Sequence, residues 1–134
     1  MIRPALAAAL ISLSALPASQ ASAEASRVVL PSGQAVSLMQ VLIEEAPPLA
    51  RFRFLAPEIG AASPARGYDD VAMDFGWLCE HLALPALDAV GLEVPGIVIS
   101  MSSAPVDFGT TDPDITQFFE PFSLADGICL VEQF

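Results

Sequence analysis

The spacing of the hydrophobic positions changes several times along the chain, and each change marks an element. Residues Arg27 to Leu30 form a short β-rich run, closed by the turn residues of PSG. Two longer β-rich runs follow, MQVLIEE and LARFRFL, separated by Pro47 and Pro48. As a hairpin with the loop Ala46 to Leu49, they set Glu45 against Ala50, Glu44 against Arg51, Ile43 against Phe52, Leu42 against Arg53 and Val41 against Phe54. Side chains alternate across a strand, so Val41, Ile43, Phe52 and Phe54 then share one apolar face. A rival helix over residues 37–45, with Ser37 and Gln40 imitating a capping box, ranks second.

Residues 57–68 read as a loop, and from Asp69 to Ala83 the pattern becomes helical. At roughly 100° per residue, Val71, Phe75, Leu78 and Leu82 fall on one face, with Ala72 and Cys79 beside it. Asp69 and Asp70 suit the positive end of the helix dipole. Pro85 interrupts, and ALDAV adds one more turn before Gly91. Strands return with IVISMSS, a central strand by its composition. Residues 105–115 form an acidic loop. Asp126-Gly127 is then a strong two-residue hairpin signal. That turn pairs Leu124 with Cys129 and Phe122 with Val131, placing Phe118, Phe122, Leu124, Cys129 and Val131 on one face. Pro121 cannot donate to a ladder, which points to an edge strand or a bulge. The expected architecture is α+β: a mostly antiparallel sheet of four or five strands, one main helix packed on a face, and one disulfide.

The first 23 residues stand apart from this pattern. Arg3 supplies a positive start, Ala5 to Leu16 an apolar run of twelve, and Ala21-Ser22-Ala23 a cleavage signal. The run is short of the about 20 apolar residues that cross a bilayer. It reads as a signal peptide over 1–23, which leaves 24–134 as a single periplasmic or secreted domain with no membrane span after cleavage. That domain holds four arginines, no lysine and all sixteen acids, a net charge of −12. Such a balance disfavours nucleic acid and anionic lipid as partners. Cys79 and Cys129 are the only cysteines. In an oxidising compartment they are expected to pair, because no C-x-x-C spacing marks them as a redox couple.

Candidate chemistry is sparse. No nucleophile elbow, phosphate-cradling glycine loop or zinc pattern is present. On the helix, Asp70, Asp74, Trp77 and His81 follow spacings of four, three and four and share a stripe that could hold a cation or small ligand. In the acidic loop, Asp107, Asp112 and Asp114 have the oxygen chemistry of calcium or another divalent cation, although no cofactor is expected overall. Ser100, Ser102 and Ser103 with His81 would make only a forced triad. Of the two alternating arginines, Arg51 falls opposite Glu44 and reads as structural. Arg53 has Leu42 opposite it and is left as the candidate partner contact.

The ordered set ARFRFLAPEI, LCEHLALP, IVISMSSAPVDFG, TQFFEPF and DGICLVEQF resembles a family of short exported bacterial proteins classed as a domain of unknown function. The resemblance implies no activity, fold or catalytic residue. Some such sequences bear an acetolactate synthase label, which does not suit a short exported chain with no room for a thiamine diphosphate site. Two functions are therefore carried forward. The first is a small binding or interaction module of the cell envelope, taking an unknown envelope protein or small ligand. The second is a small metal-dependent or hydrolytic enzyme using His81 with Asp70 or Asp74.

Overall fold

The structure, a computed structural model, describes residues 26–60 and 66–132. The expected signal peptide lies outside them. Among the described residues one sheet contains, in sequence order, β1 (Arg27–Val29), β2 (Ala35–Glu45), β3 (Pro48–Leu55), β4 (Gly96–Ser102), β5 (Gln117–Ala125) and β6 (Ile128–Val131). Every neighbouring pair is antiparallel except β3 and β4, which run parallel. Parallel strands need a crossover rather than a tight turn. Here the crossover carries a helical segment made of α1 (Tyr68–Leu78), a π-helical turn (Cys79–Ala83) and α2 (Leu84–Ala89). The α+β class, the single main helix and the disulfide agree with expectation. The sheet has six strands rather than four or five, and it is mixed.

Residues 37–45 are strand, not helix, and the β2–β3 hairpin is tighter than expected. Its turn is Ala46-Pro47, so Glu45 pairs with Pro48, Leu42 with Arg51, Val41 with Phe52 and Gln40 with Arg53. Pro48 is tolerated because it opens β3, two residues before the pairing with β4 begins at Ala50. The slip from the expected register is two residues. A two-residue slip preserves the faces, so Phe52 and Phe54 still point into the core and both arginines still point outward. A bulge between Leu38 and Gln40 shifts the ladder once more. Val41 and Ile43 share the face of Phe52 but stay about half exposed, because the helix packs over β4 to β6 instead.

Along the helix Val71, Phe75, Leu78, Cys79, Ala83 and Leu87 are buried against Phe52, Phe54, Ile97, Ile99 and Met101. Ala72, expected beside the apolar face, is exposed, and Leu82 is only partly covered. Pro85 does not end the segment. It has no N–H to return to the carbonyl of His81, and its ring would crowd that carbonyl. The turn before it widens instead, with the Leu84 amide bonding to the Cys79 carbonyl, and the helix continues.

The last hairpin has the expected register, Leu124 with Cys129 and Phe122 with Val131. Asp126 (φ 51°) and Gly127 (φ 74°) form its turn, in the left-handed geometry that Asp-Gly supplies readily. Pro121 sits in an interior strand rather than an edge. Its nitrogen faces the point where β6 gives out, while its carbonyl still accepts the Glu132 amide at 3.1 Å. Cys129 bonds to Cys79, with Cα atoms 6.3 Å apart, and ties β6 to the helix.

Candidate functional site

On the outer face of the sheet, away from the helix, Arg51 and Arg53 of β3 lie beside Ser100 of β4 and Phe119 of β5 by register. The segment between β4 and β5 folds over them. Its base is pinned by Ser103 and Thr116, whose backbone and hydroxyl groups exchange two hydrogen bonds of 2.9 Å. Its tip is a turn closed by the Thr110 amide on the Asp107 carbonyl at 3.1 Å, with Gly109 at φ 84°. That turn sets the Phe108 ring over both guanidiniums, 5.0 Å from Arg51 and 5.8 Å from Arg53. Such stacking is favourable because the ring face is electron-rich.

The two arginines are held differently. Arg51 gives its Nε–H to Glu44 at 3.0 Å, a diagonal rather than directly opposed pair. Arg53 is only 7% exposed, which makes it a buried residue rather than a free surface cation. Its Nη1 donates to Gln40 Oε1 and its Nη2 to the Val106 carbonyl, each at 2.6 Å. So Arg53, expected to be left for a partner, already fastens the loop to the sheet.

Between loop and sheet lies a cleft of about 350 Å³. Arg51, Arg53, Ser100, Phe108, Thr110 and Gln117 are among its lining residues, and none of the residues lining it is Asp, Glu, His or Cys. On the other side of Arg53 a second cleft of about 470 Å³ includes Asp107 and Asp112 in its lining. Arg53 is therefore a partition with an acid-free chamber on one side and two carboxylates on the other.

The helix stripe does not assemble into one site. Asp70 accepts the Gly67 amide at 2.8 Å and caps α1. Asp74 is fully buried and accepts from the Ser32 amide, the Ser32 hydroxyl and Gln34 Nε2. Arg66 and Glu58 brace the same turn, through the Ser32 carbonyl at 2.7 Å and the Ala35 amide at 2.9 Å. The Trp77 and His81 rings lie against each other with centroids 4.8 Å apart and planes tilted by 32°, and His81 is exposed. Asp74 and His81 stand seven residues apart, roughly 10 Å along the axis. In the loop, Asp112 accepts the Asp114 amide at 2.9 Å and closes its own turn. Among the described residues no three His, Cys, Asp or Glu side chains converge as a metal-ligand set. Ser100 lies on the outer face while His81 lies on the helix side, so the sheet separates them.

Sequence reasoning did not single out Phe108, Thr110 or Gln117. The available signal was a phenylalanine beside a glycine within a polar loop, where burial cannot explain it. It also missed Tyr68, whose hydroxyl donates to Glu120 and whose ring packs on Phe75 and Phe118. The accepting carboxylate, with some burial, pushes the Tyr68 phenol up to about 12.

No characterised protein and no solved structure matches this chain. The model of the Family of unknown function (DUF6497) matches residues 9–134, in keeping with the resemblance carried by the motif set, and the chain belongs to that family.

Proposed function

We propose that this chain is a small exported binding module of the cell envelope, periplasmic or secreted, whose ligand seats in the cleft between the outer face of the sheet and the Phe108 loop. One observation carries the reading: two arginines converge on a cleft that no acid lines, in a chain with sixteen acids. A rigid sheet presenting a loop-borne aromatic is a common design for recognition. The leader pattern and a disulfide joining distant elements support an oxidising destination. Binding is favoured over catalysis because nothing lining the cleft has the chemistry of a general base.

Native mass spectrometry of protein exported by its own leader, without reducing agent, tests this. The expected species begins at Glu24, has the mass of the oxidised form, and carries a ligand or defined partner that Phe108→Ala releases. A retained species that Phe108→Ala leaves in place would put the site elsewhere. A bare chain whose Phe108-loop amide resonances also ignore envelope extract would remove the binding reading.

A further inference from the structure

Resting on the reading that this cleft is the binding site, we infer that its ligand is a monovalent carboxylate attached to an apolar, aromatic-sized body. Three features point to that chemistry. The first is the donor set. Among the described residues Arg51 spends only its Nε–H, on Glu44. Its terminal nitrogens remain, in the planar fork that matches a carboxylate. Glu44 already accepts a hydrogen bond from this guanidinium, through Nε, so a carboxylate suits its donors.

The second is the wall. Phe108 roofs both guanidiniums, and Phe119, 65% exposed, stands at the same cleft. Ser100, Thr110 and Gln117 add hydroxyl and amide groups to the lining, the Gln117 carboxamide already donating to the Thr110 carbonyl at 3.3 Å. A charged head with an apolar body uses all of these, whereas a fully hydrated anion would leave the aromatic surfaces idle. At about 350 Å³ the cleft is near the lower end for small-molecule sites.

The third is the global field. At a formal charge of −11 the whole chain repels anions, and a dianion is repelled about twice as strongly as a monoanion. Attraction to the arginines scales with ligand charge too, but Arg51, Arg53 and the paired Glu44 sum to only +1 locally, so a monoanion balances the site and a dianion overshoots it in an already acidic chain.

The test titrates isotope-labelled full chain with benzoate, with its uncharged counterpart benzamide, and with inorganic phosphate. Amide shifts of Gly109, Thr110, Thr111 and Phe119 are the readout. Benzoate is expected to saturate these shifts at least tenfold more tightly than either other probe. Arg51→Gln should erase that margin. Glu44→Gln, which frees Arg51 from its internal carboxylate, should strengthen benzoate binding several-fold. Equal binding of benzoate and benzamide, unchanged by Arg51→Gln, would overturn the carboxylate and leave the cleft as a binding site. Phosphate binding as tightly as benzoate would overturn the monovalent class. No movement of these amides with any probe would overturn the carboxylate, and the cleft as well only if envelope extract also leaves them unmoved.

Discussion

Asp74 grips Ser32 twice: Oδ1 accepts the Ser32 amide at 2.9 Å, and Oδ2 accepts its hydroxyl at 2.5 Å. Gln34 Nε2 adds a third bond at 2.8 Å. These partners lie 42 and 40 residues earlier, so one buried carboxylate fastens α1 to the β1–β2 turn. Truncation would take the acceptor from two donors of the half-buried Ser32 and leave the buried Gln34 Nε2 with only the Met101 sulfur, at 3.6 Å. Asp74→Ala is therefore expected to cost about 3 kcal/mol, as for a buried charge network that loses one member. His81→Ala, at an exposed position, should stay within about 0.5 kcal/mol. Equilibrium denaturation of both variants decides, and equal losses would contradict the assignment of Asp74 to the frame.

Tyr68 is the only tyrosine, so a tyrosinate absorbance titration reports it alone. The midpoint is expected near 12 in the folded protein, held up mainly by the hydrogen bond to Glu120. In the unfolded chain the phenol ionises at about 10. The folded value is the higher one. The stabilisation is therefore complete below about pH 10 and is lost as pH rises through 12. Glu120→Gln should lower the midpoint toward the ordinary value. A wild-type midpoint already at that value would mean the pair does not form in solution.

What could be read from the sequence depended on whether neighbours or distant strands decide. The Asp126-Gly127 turn is local chemistry, and its register follows from two residues. The β2–β3 faces were legible because the pleat repeats every second residue, which made a two-residue slip harmless to Phe52 and Phe54. The parallel pairing of β3 with β4 was less visible, although a strand, a helix and a near-continuous apolar strand in succession imply a crossover. Asp74 was the hard case. Its spacing placed it on a polar stripe with His81, and only the position of Ser32, far away in sequence, shows that this polar group belongs inside. The cleft was equally hidden, since Phe108 gains its meaning from the arginines beneath it.

The Cys79–Cys129 bond closes a separation of 50 residues. In the chain-entropy account such a loop contributes on the order of 4 kcal/mol by restricting the unfolded state. Replacing both cysteines with alanine is expected to lower stability by about that amount, or slightly more, because Cys79 also fills a buried position. Denaturant titrations of the oxidised wild type and the double variant measure the difference. A change below about 1 kcal/mol would mean that the β6 end is already ordered in the unfolded ensemble.

Arg51 and Arg53 differ by two residues and share a face, yet their replacement should have unequal effects. Arg51 is partly exposed and holds one ion pair, a class worth about 0.2–1 kcal/mol. Arg53 is buried, and its loss leaves Gln40 Oε1 and the Val106 carbonyl without their donor. Hydrogen bonds from a charged donor contribute about 1.5–3 kcal/mol each, and the two here act on one side chain. Arg53→Ala should therefore cost about 3 kcal/mol, and Arg51→Ala no more than about 1 kcal/mol. Arg53→Lys should not rescue, because a point-like ammonium cannot span two acceptors as a planar fork does. Amide exchange adds a local reading: Arg53→Ala should speed exchange of Thr110 and Ile115, whose amides are bonded inside the loop, ahead of the sheet. Equal destabilisation by both variants, with no loosening of the loop, would show that Val106 and Gln40 do not depend on Arg53.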